Sequence, residues 1–420
     1  MAVHFKTVDW AINTNIYEVN IRQYTKEGTF AAFAKHLPRL KDMGVETLWL
    51  MPITPISVEK RQGSLGSYYA CSSYTTINPE FGSLADFKTL VTQAHILKIK
   101  IIIDWVANHT GYNHAWTKEH ADWYEKDEHG NFTEKNGWAD VIDLNYKNNE
   151  LRKGMIEAMQ YWINECDIDG FRCDMAHLVP LDFWQEARTQ CDSLKTLFWL
   201  AECEEVKYHA VFDVTYAWQW MHATEKFINH EIDINELYNV LHTYSQYPND
   251  AAKLFFTTNH DENSWNGTEY EKYGNLAKSL AVFTFTWKGI PLIYSGQELP
   301  NNKRLKFFDK DEIEWTESKQ PLLHNFYKPL IALHKTEVIA TGEIFNLPTS
   351  NNCMAYLRKK DEEVVLVILN LSNNDRIKLS LSHSWLQGNF SNVFSELIYS
   401  FNVTETFELQ AGEYLVYAKK

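Results

Sequence analysis

Seven short and almost uninterrupted apolar runs return through the first three quarters of the chain: "TNIYEVNI" (14–21), "VETLWLMP" (45–52), "KIIIDWVAN" (100–108), "IDGFRCD" (168–174), "LFWLAE" (197–202), "LFFTTNHD" (254–261) and "IPLIYSG" (290–296). A strand covered on both faces carries apolar side chains on both. It therefore reads as a continuous run instead of an alternation, the mark of a parallel sheet beneath helices. "AVFDVTY" (210–216) supplies an eighth run. Parallel neighbours need a crossover, and amphipathic stretches such as "FAAFAKHLPRLKDMG" (30–44) and "LADFKTLVTQAHIL" (84–97) provide it. Eight such units at about 31 residues each predict an α/β chain closed into a (β/α)8 TIM barrel.

Two departures from the repeat set the domain plan. About 60 residues separate the third run from the fourth, and long insertions after a barrel strand usually serve function. The segment 105–147, rich in Trp, His, Asp and Gly, is therefore expected to form a lobe over the barrel mouth. Beyond residue 340, "CMAYLRKK", "EVVLVILNLS", "RIKLSLS" and "GEYLVYAK" predict short strands separated by Asn, Ser and Gly. That pattern predicts a C-terminal antiparallel β-sandwich. The expected division is barrel over 1–104 and 148–340, lobe over 105–147, and sandwich over 341–420.

Charge narrows the partners. With 40 Lys and Arg against 55 Asp and Glu the net charge is -15, which repels phosphate backbones and excludes nucleic acid as an expected partner. No apolar stretch approaches a membrane span, and the N-terminus has neither the basic start nor the apolar core of a signal peptide, so a cytoplasmic location is expected. The six cysteines (71, 166, 173, 191, 203, 353) are scattered and predict free thiols. Aromatic residues make up 14% of the chain, 15 of them Trp, more than packing alone requires and suited to stacking on sugar rings.

Polar residues at the C-terminal ends of barrel strands face the active site. Here they are Asp104, Asn108 and His109 after the third run, Arg172 and Asp174 on the fourth, Glu202 ending the fifth, and His260 and Asp261 ending the seventh. Alternation puts Arg172 and Asp174 on one face and Cys173 on the other. Convergent carboxylates in aromatic surroundings suit glycoside hydrolysis, with one carboxylate as nucleophile and another as acid and then base. Arg172 is expected to keep Asp174 ionised, and the apolar "FWLA" before Glu202 to raise that carboxyl and keep it protonated.

These segments resemble the α-amylase family of glycoside hydrolases (family 13). "DWVANHT" (104–110), "GFRCDMAH" (170–177), "FWLAE" (198–202) and "FFTTNHDE" (255–262) look like its four conserved regions, in order. The resemblance implies Asp174 as nucleophile, Glu202 as general acid/base and Asp261 as the third acid. It implies substrate contacts from Tyr69, His109, Arg172, His177 and His260, with Asp104 bracing the site. The substrate would be an α-glucan and the chemistry would need no cofactor. Many relatives hold a structural calcium between barrel and lobe, and Asn108 and Asp143 match two of its ligands. Calcium takes six to eight oxygens, so both a calcium-bound and a metal-free junction stay open. The same machinery serves an α-amylase, a cyclomaltodextrinase or a 4-α-glucanotransferase; a non-catalytic sugar-binding protein would not need all three acids.

Overall fold

The computed structural model describes residues 5–248, 250–315, 320–349 and 352–420. Its strands in chain order begin with β1 (Ile16–Val19), β2 (Thr47–Leu50) and β3 (Lys100–Trp105), followed by the lobe pair β4 (His109–Gly111) and β5 (Val141–Asp143). Then come β6 (Gly170–Cys173), β7 (Phe198–Ala201), β8 (Val214–Tyr216), β9 (Ala252–Phe255) and β10 (Ile290–Tyr294). β1, β10, β9, β8, β7, β6, β3 and β2 close, in that order, into a parallel barrel, as the apolar runs predict.

Alternation along each strand divides the side chains between two cores. Ile16, Trp49, Ile102, Phe198, Leu200 and Leu254 fill the barrel interior. Their neighbours Ile101, Ile103, Phe171 and Trp199 face outward and pack with helix residues such as Phe87, Leu90 and Trp162. Those belong to helices α1 (Leu84–Ile96) and α2 (Asn149–Cys166), which start at a Ser83–Asp86 capping box and an Asn148 cap. Gly170 opens β6 because a Cβ there would stand 2.1 Å from the Phe198 carbonyl oxygen.

The strands are shorter than the apolar runs. β8 starts at Val214 because residues Val206–Ala210 wind into a 3-10 turn, with the Tyr208 carbonyl accepting from the amides of Val211 and Phe212. β9 ends at Phe255, so His260 and Asp261 lie past the strand. Asn259 starts their turn: its Oδ1 accepts from the Glu262 amide (2.8 Å) and its carbonyl from the Asn263 amide (3.0 Å).

Eight further strands follow: β11 (Glu343–Asn346), β12 (Cys353–Lys360), β13 (Glu363–Asn370), β14 (Ile377–Ser382), β15 (Gly388–Asn392), β16 (Ile398–Phe401), β17 (Thr404–Leu409) and β18 (Tyr414–Lys419). All pair antiparallel, six in the sheet β11-β12-β13-β18-β15-β16 and two as β14-β17. Ala355 and Leu357 of β12 join the core against β14 and β17, while Met354 and Tyr356 join the barrel-side core. Among the described residues, all six cysteines are free and buried, and no helix is long and apolar enough to cross a membrane.

Candidate active site

Barrel register places the acids. Asp104 of β3 lies opposite Arg172 of β6, and Cys173 lies opposite Ala201 of β7. The ladder runs one residue further on each side: the Asp174 amide donates to the Trp105 carbonyl and the Glu202 amide to the Cys173 carbonyl, both at 3.0 Å. Inward alternation then delivers Asp104, Arg172, Asp174 and Glu202 to one rim.

Arg172 is buried and organises that rim. Its Nη1 donates to Asp104 Oδ1 (2.9 Å) and Asp174 Oδ1 (2.8 Å), Nη2 pairs with Glu202 Oε2 at 2.8 Å, and Nε donates to the Tyr216 hydroxyl (3.1 Å). The guanidinium also lies 4.7 Å from the centre of the Trp49 ring. Glu202 Oε2 accepts the Met175 amide (2.9 Å), which is turned toward it by a left-handed φ of 40°. A non-glycine residue pays for that backbone state, and the payment aims a donor at the acid.

One guanidinium thus serves three carboxylates, and their titration differs from the sequence expectation. Burial and the neighbouring Glu202 charge raise the Asp174 carboxyl well above its ordinary value, outweighing Arg172. Burial also pushes Glu202 up, but Arg172 and the Met175 amide outweigh it and hold the carboxyl below its ordinary value. The apolar "FWLA" faces the barrel core, whereas the Glu202 carboxylate itself sits among donors. Asp174 and Glu202 hang on the same guanidinium and each carboxyl feels the other's charge, so their proton belongs to the pair. Asp104 is buried beneath the rim; it takes hydrogen bonds from Trp49 Nε1 (3.1 Å) and the Tyr69 hydroxyl (3.2 Å), and burial, opposed by Arg172, puts its pKa at about 6.

His260 lies one layer beneath the rim. Its Nδ1 is 2.5 Å from Glu18 Oε1, and its Nε2 is 2.8 Å from the Tyr69 hydroxyl and 3.3 Å from Asp261 Oδ2. Tyr69 stacks on its ring at 5.5 Å. Burial opposes a charge on this imidazole, but Asp261 and Glu18 outweigh it and lift the pKa to about 9. His109, in contrast, is buried without a carboxylate against its ring, and burial lowers it to about 4.

Two cavities meet at Glu202. The first, about 330 Å³, is lined by Tyr69, His109, Asp174, Asp261 and Glu202, with aromatic walls from Trp138 and Phe307. Gln62 Nε2 donates to Asp140 Oδ1 (3.1 Å), joining the loop after β2 to the lobe along its wall. The second, about 720 Å³, lies on the far side of Met175 and Glu202 and is lined by the exposed His177 and His222 and the half-buried Trp218, but not by Asp174. Of the catalytic and substrate residues expected from the sequence, Tyr69, His109, Asp174, Glu202 and Asp261 line the smaller cavity and His177 the larger, whereas Arg172 and His260 are buried behind the rim and line neither.

Sequence reasoning passed over several residues of the site. Glu18 carried a signal, a lone acid inside the buried run "IYEV". The Met175 amide and the walls Trp138 and Phe307 carried none, since a loop's spatial neighbours do not follow from its order in the chain.

Asn108 and Asp143 do come together at the lobe junction, but both carboxylate oxygens of Asp143 and the Asn108 backbone carbonyl face N–H groups. Asp143 Oδ1 faces Asn108 Nδ2 at 3.5 Å, Asp143 Oδ2 accepts the Lys135 amide (3.1 Å), and the Asn108 carbonyl accepts the Leu144 amide (3.0 Å). The Lys135 ammonium lies in the same cleft, 3.2 Å from Glu125. Among the described residues no group of three or more His, Cys, Asp or Glu could hold a metal. This donor set does not fit a calcium shell of six to eight oxygens.

Comparison with known proteins agrees with this geometry. Residues 12–141 and 121–321 match the family model of the alpha-amylase catalytic domain. The crystal structure of a noncanonic maltogenic alpha-amylase from Thermotoga neapolitana is 32% identical, with a TM-score of 0.89 over 97% of this chain and 99% of that one. An alpha-amylase from Lactobacillus plantarum is 28% identical, with the same TM-score and coverage. A Haloarcula japonica alpha-amylase is 24% identical over 87% of this chain, which spans only 56% of that protein's length.

Proposed function

Because this chain belongs to the alpha-amylase family of glycoside hydrolases, we propose that it is a retaining enzyme cleaving α-1,4-glucosidic bonds of starch, glycogen or maltooligosaccharides. The observation that carries this reading is the Asp174–Glu202 pair: two carboxyls at one rim, each 2.8 Å from the same buried guanidinium. Retaining chemistry wants carboxyls about 5–5.5 Å apart, whereas inverting enzymes leave about 6.5–9.5 Å for a water. Two carboxyls bridged by one guanidinium fit the former.

Asp174 lines only the smaller cavity and Glu202 lines both. The ring under attack therefore sits in the smaller one, over Asp174, and the leaving sugar in the larger. As the anomeric carbon gains positive charge, it favours an ionised Asp174 beneath it. The shared proton then resides on Glu202, which gives it to the glycosidic oxygen. Asp174 forms the glycosyl-enzyme, and Glu202, now a base, activates the incoming water or sugar hydroxyl. Tyr69, His109 and Asp261 hold the ring; His260 supports Tyr69 and Asp261. None of these steps requires a cofactor.

A second reading, cyclomaltodextrinase or 4-α-glucanotransferase, is favoured by one feature. The larger cavity offers Trp218, stacked on His222 with ring centroids 5.6 Å apart, as a platform for an acceptor sugar beside Glu202. Chromatography of products from starch, maltoheptaose and cyclodextrin tests both. Shortened linear products from all three substrates are expected. Products longer than maltoheptaose would indicate transfer, ring opening faster than starch cleavage would indicate the cyclodextrin specialist, and no turnover of any substrate would refute the proposal.

A further inference from the structure

Glu18 is fully buried on β1 and faces into the barrel, where one carboxylate oxygen meets His260 Nδ1 and the other has no hydrogen-bond partner. A buried carboxylate left half satisfied is costly, and no step of the reaction proposed above uses it. Its place in the hydrogen-bond chain suggests what it does.

The chain has a direction that the Tyr69 hydroxyl decides. That hydroxyl has one hydrogen and two neighbours, Asp104 Oδ2 at 3.2 Å and His260 Nε2 at 2.8 Å. If the phenol donates to Asp104, which as a carboxylate only accepts, then His260 must donate from Nε2. With Nδ1 also donating to Glu18, the ring carries both protons. If His260 is neutral with its proton on Nδ1, the phenol turns to Nε2 and Asp104 loses a donor. Asp104 then leans harder on Arg172 Nη1, the same nitrogen that holds Asp174 Oδ1 at 2.8 Å.

We propose that Glu18 is a positioning residue that keeps His260 doubly protonated, so that the Tyr69 hydroxyl points to Asp104 and Arg172 stays aligned on Asp174 and Glu202. The charged groups around His260 are Glu18 from β1, Asp261 beside it in the chain, Asp104 from β3, Glu202 beyond β7 and Arg172 from β6. Of these, Glu18 is the only carboxylate on the Nδ1 side. Replacing it with Gln keeps an oxygen that can accept that proton but removes the negative charge that favours a doubly protonated ring, and it leaves the rim acids in place. The high pKa of His260 agrees with this arrangement.

The test compares wild type, Glu18→Gln and Tyr69→Phe by NMR of 15N-labelled histidine, with His260 assigned from its loss in His260→Gln. Wild-type His260 is expected to carry both protons at pH 8, and Glu18→Gln to release one near or below neutrality. A neutral His260 in the wild type at pH 7 would overturn the proposal even if the Gln variant did not fold. An unchanged titration in a folded Gln variant would also overturn it. The activity arm rests on the function proposed above. With maltoheptaose, Glu18→Gln should lose about tenfold in kcat at pH 8, the scale of one charged hydrogen bond, and less at pH 6. Adding Glu18→Gln to Tyr69→Phe should cost nothing more. An equal loss at both pH values would mark Glu18 as merely structural. A wild type inactive on every α-glucan would refute the proposed function, and the NMR titration would still decide the role of Glu18.

Discussion

Asp174 and Glu202 show how much a single residue's chemistry depends on what faces it. Both are acids at the end of an apolar run, and apolar neighbours in sequence suggest a raised pKa for Glu202. In the fold the Glu202 carboxylate meets Arg172 and the Met175 amide, and it is Asp174 whose carboxyl is raised. The identity of the acids was legible because each ends a strand at the rim; the sharing of their proton was not, because it depends on distances between strands. If Glu202 is the acid, Glu202→Gln should lower kcat on maltooligosaccharides by about 10²–10⁴-fold, the usual worth of general acid catalysis. Substrates with good leaving groups, which need little protonation, should suffer less. Asp174→Asn should abolish turnover of both kinds and leave binding measurable by calorimetry; retained turnover in that variant would remove Asp174 from the role of nucleophile.

Among the elements, the foot of β6 is held by a charge cluster far from the catalytic rim. Asp169 takes hydrogen bonds from the Ile101 amide (2.9 Å) and His95 Nε2 (2.7 Å) and pairs with Lys195 at 3.2 Å. Burial raises its carboxyl, but these partners outweigh burial and bring the pKa to about 2. Depressed below the unfolded value of about 3.9, it stabilises the fold above pH 4 by about 2 kcal/mol, and that contribution fades as pH falls toward 2. Urea unfolding should therefore find Asp169→Asn weaker by about 2 kcal/mol at pH 7, with the gap closing between pH 4 and pH 2. The lobe junction makes a different prediction. Since the Asp143 carboxylate and the Asn108 carbonyl already accept N–H groups, melting curves with EDTA and with added calcium should coincide; a lower melting temperature in EDTA would show that a metal displaces those bonds.

At the scale of the whole molecule, the C-terminal sheet is fastened to the barrel by a buried cation that has no carboxylate partner among the described residues. Arg358 of β12 donates to the carbonyls of Thr286 (2.7 Å), Gly342 (3.0 Å) and Ile339. Burial lowers its pKa to about 10, so it remains charged at neutral pH. Tyr356, two residues earlier on the same face, shares a hydrogen bond of 2.6 Å with Thr286 Oγ1. Replacing Arg358 with Met would leave three buried carbonyls without that donor, at a cost of roughly 3 kcal/mol. Calorimetry should show a lower melting temperature, while kcat at 25 °C stays at the wild-type value because the rim is untouched.

Continuous apolar runs at a regular spacing determined the barrel, since only strands buried on both faces read that way. An alternating, turn-rich tail likewise determined the antiparallel sheets. Strand-end polarity and the match of Asp104, Arg172, Asp174, Glu202 and Asp261 to a known family determined which acids to bring together. The tertiary structure decided the rest: the ends of β8 and β9, the place of His260 behind Tyr69, the hydrogen-bonded junction of Asn108 and Asp143, and the partnership of Glu18 with a histidine from the far end of the barrel chain. The reason is the same in each case. Burial and periodicity are local in the chain and leave their mark on its order, whereas hydrogen-bond direction and shared protons arise between segments that only the closed barrel brings within 3 Å or so.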